Sequence, residues 1–243
     1  PVYENKLDLF KSGSTFLSPT TFSAAPFTPL PPVKILSSTA NPDNTYSQAL
    51  AFNVLGNLYQ PASTNPHIFT QAPLIAHNRA LETLNFTFYL RDISLAGLTH
   101  LLRHRMHSPI LPALFSPSLP YSVILPPSIQ EKGLEKEYFS LIKKSQELEE
   151  KHQNIYYRTV AALFPVVTSM NARELIHFFK LRLCTRAQWE IRDLAFMMLN
   201  EVKKLSPQLF NGIGPNCVVL GYCPEGSHSC GRIKEMQEIF GRV

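Results

Sequence analysis

Alternating apolar and polar residues predict short strands in this chain. In LNFTFYL, residues 84–90, the apolar side chains of Phe86 and Phe88 are separated by polar positions. Successive side chains of a strand point to opposite faces, so this segment predicts a strand with one buried face. Residues 33–37 and 121–125 are two further strand candidates.

Longer segments follow a helical pattern instead. Residues 45–59 predict one helix. Ser94 is placed to cap a second helix that runs to about Met106. Ser128 opens a long, charged helix that ends near Asn154.

Capping-box spacing marks two more helix starts. Asn171 precedes Glu174 by three residues, and Thr185 precedes Gln188 by three. These pairs predict helices that begin near residues 172 and 186. The second helix carries an apolar stripe that predicts a face packed in the core. Its members are Ile191, Leu194, Ala195, Met198, Leu199 and Val202.

The composition is that of a folded chain. Of 243 residues, 44% are hydrophobic and only 17% are charged, which excludes a disordered chain. No apolar run approaches the roughly 20 residues that span a bilayer, and the N-terminus shows no secretory signal. Four cysteines are too few for a disulfide framework, so we expect a cytoplasmic protein with no membrane partner.

These elements together predict one helix-rich α+β domain that begins at Val33. Residues 1–32 combine proline and aromatic residues without a helical or strand period, and they predict an irregular arm. The net charge of +5 is compatible with an anionic ligand and does not require a nucleic acid, which we do not expect as a partner.

A first basic cluster follows the LNFTFYL strand. On one continuous helix, His100, Arg103, His104 and His107 would share a face, with Arg105 beside them. Such a face suits an anion. A solvated basic face is the alternative, and a metal site is disfavoured because no carboxylate joins the histidines.

A second polar cluster lies on and just after the helix predicted near residue 172. Arg173, His177 and Lys180 have the spacing of one helix face, and Asn171 and Arg182 flank them. This face could bind phosphate groups or form an ordinary exterior.

A third cluster is close to the C-terminus. Cys217, Cys223, His228 and Cys230 could hold zinc, but they lack the C-x2-C spacing of a zinc knuckle. A turn with free thiols is the alternative reading. Glycine-rich phosphate loops are also absent from the sequence, so a bound nucleotide would be held by side chains.

Read together, these segments resemble the flavin-dependent thymidylate synthases. The matching stretches are ALETLNFTFYLRDIS (80–94), LLRHRMHS (101–108), MNARELIHFFKLRLCTRAQWEIRDLA (170–195) and CPEGSHSCG (223–231). The resemblance covers about residues 33–231 as one domain with a small antiparallel sheet. It leaves residues 232–243 as a C-terminal tail.

The resemblance implies an activity and its cofactors. A family member is a homotetramer that binds flavin adenine dinucleotide (FAD) and methylates deoxyuridine monophosphate to thymidine monophosphate. Methylenetetrahydrofolate supplies the carbon, and a nicotinamide cofactor, NADPH, recharges the flavin. We therefore expect a pyrimidine nucleotide substrate here.

The resemblance also assigns residues. Those implied to bind FAD are His77, Arg103, His104, Arg105, Asn171, Arg173 and His177. Those implied to bind the nucleotide are His100, Arg103 and Arg182, and Ser108 is implied as catalytic. His100 replaces a glutamine that is usual in the family, and Glu82 matches an acidic position.

One loop departs from the family pattern. After Ser108, the motif expects polar residues, a second serine and an arginine, where this chain has Ile110, Leu111, Ala113 and Phe115. Apolar groups in place of donors leave polar atoms of a substrate unpaired, at about 1–3 kcal/mol each. The alternative is therefore a relative that keeps the fold, and flavin or nucleotide binding, but has lost or changed the methylation activity.

Overall fold

The computed structural model describes residues 32–55, 79–112 and 121–241. These residues form two compact units. The helical unit contains the described residues among 92–99 and 111–165, and the sheet unit contains those among 31–91, 100–110 and 166–243. Apart from residue 32, the predicted arm lies outside the described residues, as do positions 56–59 of the first predicted helix and His77.

A four-stranded sheet belongs mainly to the sheet unit. Its strands, in spatial order, are β1 (Val33–Ser38), β2 (Asn85–Ser94), β4 (Leu163–Asn171) and β3 (His107–Ile110). The outer pairs, β1 with β2 and β3 with β4, are antiparallel. Phe86, Phe88 and Leu90 are fully buried, which confirms the predicted alternation in β2.

Helices make up most of the remaining regular structure. They are α1 (Pro42–Leu55), α2 (Leu95–Leu101), α3 (Pro127–Gln130), α4 (Glu135–His152), α5 (Ala172–Arg182), α6 (Trp189–Leu205), α7 (Asn216–Val219) and α8 (Ile233–Phe240). A helix-rich fold with a small antiparallel sheet is the predicted α+β class. No helix within the described ranges is long and apolar enough to cross a membrane.

The prediction for the helix after Ser94 was partly wrong. The Ser94 hydroxyl accepts a hydrogen bond from Gly97 N at 2.9 Å, as predicted for a cap, but α2 ends at Leu101 rather than near Met106. Residues 107–110 instead pair with β4 as an edge strand of the sheet. The first basic cluster is therefore not one helix face.

Several other boundaries differ from the sequence prediction. Helix α1 begins at Pro42 rather than at residue 45. The helix expected from Ser128 is two helices, because Gly133 adopts a left-handed φ of 66° between them. Helix α6 begins three residues later than expected, since the side chain of Gln188, not of Thr185, accepts the hydrogen bond of Ile191 N at 2.9 Å. In the segment 121–125, only Val123 forms a bridge, to Ala162.

An aromatic chain runs through the core of the sheet unit. The ring of Phe86 lies 5.7 Å from that of Phe210, which lies 6.2 Å from Phe179, and Phe178 follows at 5.8 Å. All these contacts are edge-to-face, the arrangement that aromatic quadrupoles favour. The predicted stripe of α6 is buried as well, with Ile191, Ala195, Met198 and Val202 fully enclosed.

Polar contacts that involve Arg158 and tyrosine side chains stabilise the helical unit. Arg158 forms a bidentate ion pair with Glu149, and its guanidinium lies 5.2 Å from the centre of the Tyr121 ring. The Tyr138 hydroxyl donates to the carbonyl of Ile124 at 2.5 Å. Burial of this phenol raises the pKa of Tyr138 to about 12.

One carboxylate joins the start of α1 to the end of α6. Asp43 accepts hydrogen bonds from the Ser206 hydroxyl and from the backbone N–H of Leu209 and Gln208, at 3.3 and 3.4 Å for the latter two. Ser206 is fully buried. Loss of the Asp43 carboxylate would therefore leave the buried Ser206 hydroxyl without a hydrogen-bond acceptor.

We expect Asp43→Ala to lower the free energy of unfolding by about 1–3 kcal/mol, the cost of leaving buried donors unsatisfied. Urea denaturation followed by circular dichroism measures this change. Glu150→Ala, which removes an exposed carboxylate from α4, is the control and should stay within about 0.5 kcal/mol of the wild type. Equal effects of the two substitutions would contradict the assignment.

Candidate functional site

The basic residues gather around His104, which lies in the turn after α2. Its side chain is buried, whereas the neighbouring Arg103 and Arg105 are exposed. The turn is closed by a hydrogen bond from His104 N to Leu101 O at 3.1 Å. A buried imidazole is thus flanked on both sides by exposed guanidinium groups.

Both ring nitrogens of His104 have partners on α5. Arg182 Nε donates to Nε2 at 2.9 Å, and Nδ1 lies 2.8 Å from Glu174 Oε1. Because Nε2 accepts a hydrogen bond, the ring proton must be on Nδ1, from which it is donated to the carboxylate of Glu174. His104 therefore links the carboxylate of Glu174 to the guanidinium of Arg182 through its two ring nitrogens.

Helix α5 brings these partners to the ring. Asn171 caps the helix by accepting from Glu174 N at 2.9 Å, as the capping-box spacing predicts. The Glu174 side chain binds His104 instead of completing the box. The rings of His177 and Phe178 lie 5.8 and 4.9 Å from the His104 ring, so one side of α5 lines the site.

The site carries more positive than negative charge. Burial lowers the pKa of Arg182, and the charge of Arg103 lowers it further. Burial, then Arg182 and Arg103, lower the pKa of His100. Neither Arg103 nor Arg105 has an acidic partner among residues 32–55, 79–112 and 121–241. The mutual repulsion of these groups would be relieved by a bound anion.

The second cluster is only partly joined to this site. Arg173 and His177 are exposed on one face of α5, with Lys180 half-buried, as predicted. Arg173 forms an ion pair with Glu82, which is part of a short 3-10 helix before β2. His77 cannot be placed, since it lies outside the described residues.

Ser108 lies on the edge strand β3, at the end of a row of hydroxyl groups across the sheet. Ser108 is opposite Ser169, whose hydroxyl accepts from Thr87 Oγ1 at 3.3 Å, and Thr87 is opposite Ser37. Ile110, in the same strand, is 66% exposed. Ala113 and Phe115 are outside the described ranges.

Glu174 is the site residue that the sequence reasoning missed. The capping box accounts for Glu174 locally, and the polar cluster around it does not predict a contact with His104. The position of this carboxylate on the buried face of α5, with apolar residues such as Leu175 and Phe178, is the signal that could have revealed it.

The chain is similar to known proteins over most of its length. The family model described as thymidylate synthase complementing protein matches residues 35–208. A flavin-dependent thymidylate synthase of Clostridium tetani is 34% identical over 241 residues, covering 86% of this chain and 96% of that protein. A protein of the same name from Geobacter sulfurreducens is 34% identical over 183 residues, 68% of this chain and 76% of its own length. A third protein of this name, from Sulfurisphaera tokodaii, is 39% identical over 149 residues, which cover 57% of this chain and 58% of that protein.

The match covers most of the chain and nearly all of the Clostridium relative. The chain therefore belongs to the family of flavin-dependent thymidylate synthases, which confirms the resemblance seen in the sequence.

The Glu174 contact generates a stability prediction. Glu174→Ala should lower the free energy of unfolding by about 1.5–3 kcal/mol, the value of a hydrogen bond to a charged group. Glu174→Gln, which keeps an acceptor, should lose less. Chemical denaturation measures both, and Glu238→Ala, at an exposed position of α8, is the control. A Glu174→Ala protein as stable as the control would refute the role of this contact.

A pH prediction follows from His107. Its Nδ1 lies 2.8 Å from Thr168 Oγ1, and burial lowers the pKa of His107. The unfolded chain, with a histidine pKa of about 6.5, therefore takes up the proton first as pH falls. Stability should be lost as pH falls from about 6.5 towards the folded pKa, and this contribution should not vary above that range.

The test is the urea midpoint measured between pH 8 and pH 5, a range of about three units around the histidine pKa. His107→Gln should flatten the acid side of the profile, whereas the exposed His228→Gln should leave it unchanged. A profile that keeps its slope in His107→Gln would show that other groups cause the loss.

Proposed function

We propose that this chain catalyses the reductive methylation of deoxyuridine monophosphate, or of a related pyrimidine nucleotide, with methylenetetrahydrofolate as the carbon donor. FAD is the bound cofactor and NADPH the source of electrons. The observation that supports this most is the group of His100, Arg103 and Arg182 around the buried His104, because it leaves positive charge for an anionic ligand.

The donor set fits both anions that this reaction needs. The exposed Arg103 and Arg105 offer guanidinium forks to a diphosphate, the group that FAD carries. Asn171, Arg173 and His177 on α5 would complete the FAD contacts. When bound, the reduced flavin would supply the hydride that converts the transferred methylene unit into a methyl group.

The nucleotide would be held by Arg182. Its Nε is engaged by His104, and its two terminal nitrogens have no hydrogen-bond partner among the described residues, so they can donate to a phosphate or a uracil oxygen. His104, itself held by Glu174, restricts the rotation of the Arg182 side chain, so the fork is held in place before the ligand binds. His100 would lie beside the bound anion, and Ser108 would contact the substrate from the edge of the sheet.

The second candidate function is a family relative without methylation activity. It is favoured by the exposed Ile110 at the end of β3, where the family motif has a polar residue. An apolar side chain at that position removes a hydrogen bond from substrate or cofactor without affecting the arginine cluster.

Assembly into a homotetramer is part of the proposal. Large apolar side chains are exposed in each unit, such as Tyr156, 94% exposed, and Leu141, 68% exposed, in the helical unit and Met106, 67% exposed, in the sheet unit. Burial of such groups between subunits stabilises an oligomer. Light scattering of the purified chain tests this, and a stable monomer would contradict it.

Arg182→Lys should weaken the binding of deoxyuridine monophosphate about 10- to 150-fold, which corresponds to a loss of about 1.5–3 kcal/mol from a charged bidentate contact. Equilibrium dialysis with the labelled nucleotide measures this without turnover. Arg232→Lys, in a side chain paired with Glu235 at the start of α8, is the matched control. Unchanged affinity of the Arg182→Lys protein for the nucleotide would show that Arg182 does not bind it.

Turnover separates the two candidate functions. Loss of two or three substrate hydrogen bonds in the loop after Ser108, at about 1–3 kcal/mol each, corresponds to roughly 10²- to 10⁶-fold slower conversion than in a relative with the full motif. Tritium release from labelled deoxyuridine monophosphate, with methylenetetrahydrofolate, NADPH and FAD present, measures the rate. Turnover equal to that relative would show that the loop substitutions are harmless, and no turnover despite tight nucleotide binding would favour the second function.

A further inference from the structure

All four cysteines of the chain line one pocket of the sheet unit. Cys217 belongs to α7, Cys184 to the connection between α5 and α6, and Cys223 and Cys230 to the loop that follows α7. The sequence grouped three of them, but Cys184 is brought to the pocket only by the fold. All four are free thiols.

The side chains around the pocket are not arranged as metal ligands. Among the described residues, which include every cysteine, no three side chains of His, Cys, Asp or Glu are placed to hold one metal ion. The thiols of the pocket are therefore considered for their own reactivity.

The thiols differ in accessibility. Cys217 is buried, Cys223 is half-buried and Cys230 is exposed. Burial, and then the other three cysteines, raise the pKa of Cys217, which keeps it a neutral thiol. The Thr185 side chain and the backbone N–H of Arg232 lower the pKa of Cys230. An exposed cysteine with a lowered pKa is the reactive member of a thiol group.

The surroundings hold Cys230 in place. The Thr185 hydroxyl is buried beside the pocket and has no hydrogen-bond partner among the described residues, so its proton is available to a thiolate that forms at Cys230. Arg186 Nη1 donates to the carbonyl of His228 at 2.9 Å and fastens the middle of the loop beside the pocket. Cys223 and Cys230 are therefore held on one short loop at the same pocket.

From this pocket we propose a thiol–disulfide exchange site that takes low-molecular-weight disulfides such as glutathione disulfide. Cys230 is the attacking cysteine and Cys223 the resolving one. This site is separate from the nucleotide site, and its chemistry needs neither flavin nor folate.

The exchange is balanced as follows. The Cys230 thiolate attacks one sulfur of the small disulfide, a mixed disulfide forms, and one small thiolate leaves with the bonding electron pair. Cys223 loses its proton to solvent and attacks the Cys230 sulfur, which expels the second small thiolate. The two cysteines are oxidised to one disulfide, and the small disulfide is reduced to two thiols after protonation.

The test is incubation of the full-length chain with glutathione disulfide, followed by thiol titration and peptide mass mapping. The wild type should lose two of its four thiols and yield a Cys223–Cys230 disulfide. Cys223→Ser should stop at glutathionylated Cys230, and Cys230→Ser should form neither product. Cys184→Ala, a pocket cysteine outside the pair, is the control and should behave like the wild type.

Thr185→Val tests the cause of reactivity, since it keeps the shape of the side chain and removes the hydroxyl. It should slow the modification of Cys230 and leave the unfolding midpoint close to that of the wild type. Oxidation of Cys230→Ser at the wild-type rate, or a disulfide that links Cys217 with Cys184, would overturn the proposal. Zinc that co-purifies at one equivalent and blocks thiol titration would overturn it as well.

Discussion

The hydrogen-bonded link from Glu174 through His104 to Arg182 constrains the arrangement of the charged groups. A buried imidazole has two polar nitrogens, and each must have a partner because water cannot reach it. Here both partners come from α5, so the turn after α2 and the last turn of α5 are held at one separation. This buried contact also fixes the positions of the exposed Arg103 and Arg105, because they are the sequence neighbours of His104.

The same site shows how apolar packing and polar chemistry are combined. His104 lies at the end of an aromatic chain that continues through Phe178 and Phe179 to Phe210. Rings in edge-to-face contact resist displacement, since interiors are packed as densely as organic crystals. The imidazole therefore has a rigid apolar support on one side and polar partners on the other. Such support is what a preorganised anion site requires.

The sheet unit contains two separate chemical environments. The arginine and histidine groups around His104 suit an anion, whereas the pocket beyond α5 is lined by thiols. Both touch α5 or the residues that follow it, with Arg182 in one and Cys184 in the other. A substitution near the end of α5 can therefore affect both places. Nucleotide binding and the oxidation state of the thiols must be measured independently to tell the two effects apart.

Local and periodic signals in the sequence determined the α+β class, the alternation in β2, the Asn171 cap and the buried stripe of α6, since each depends on residues within a few positions of one another. Tertiary structure decided the rest. Helix α2 ends early because residues 107–110 pair with β4, about sixty positions away in the sequence. The Glu174 side chain binds His104, which is seventy positions away. Such partners are set by how the chain folds back on itself, and neither spacing nor propensity encodes them locally.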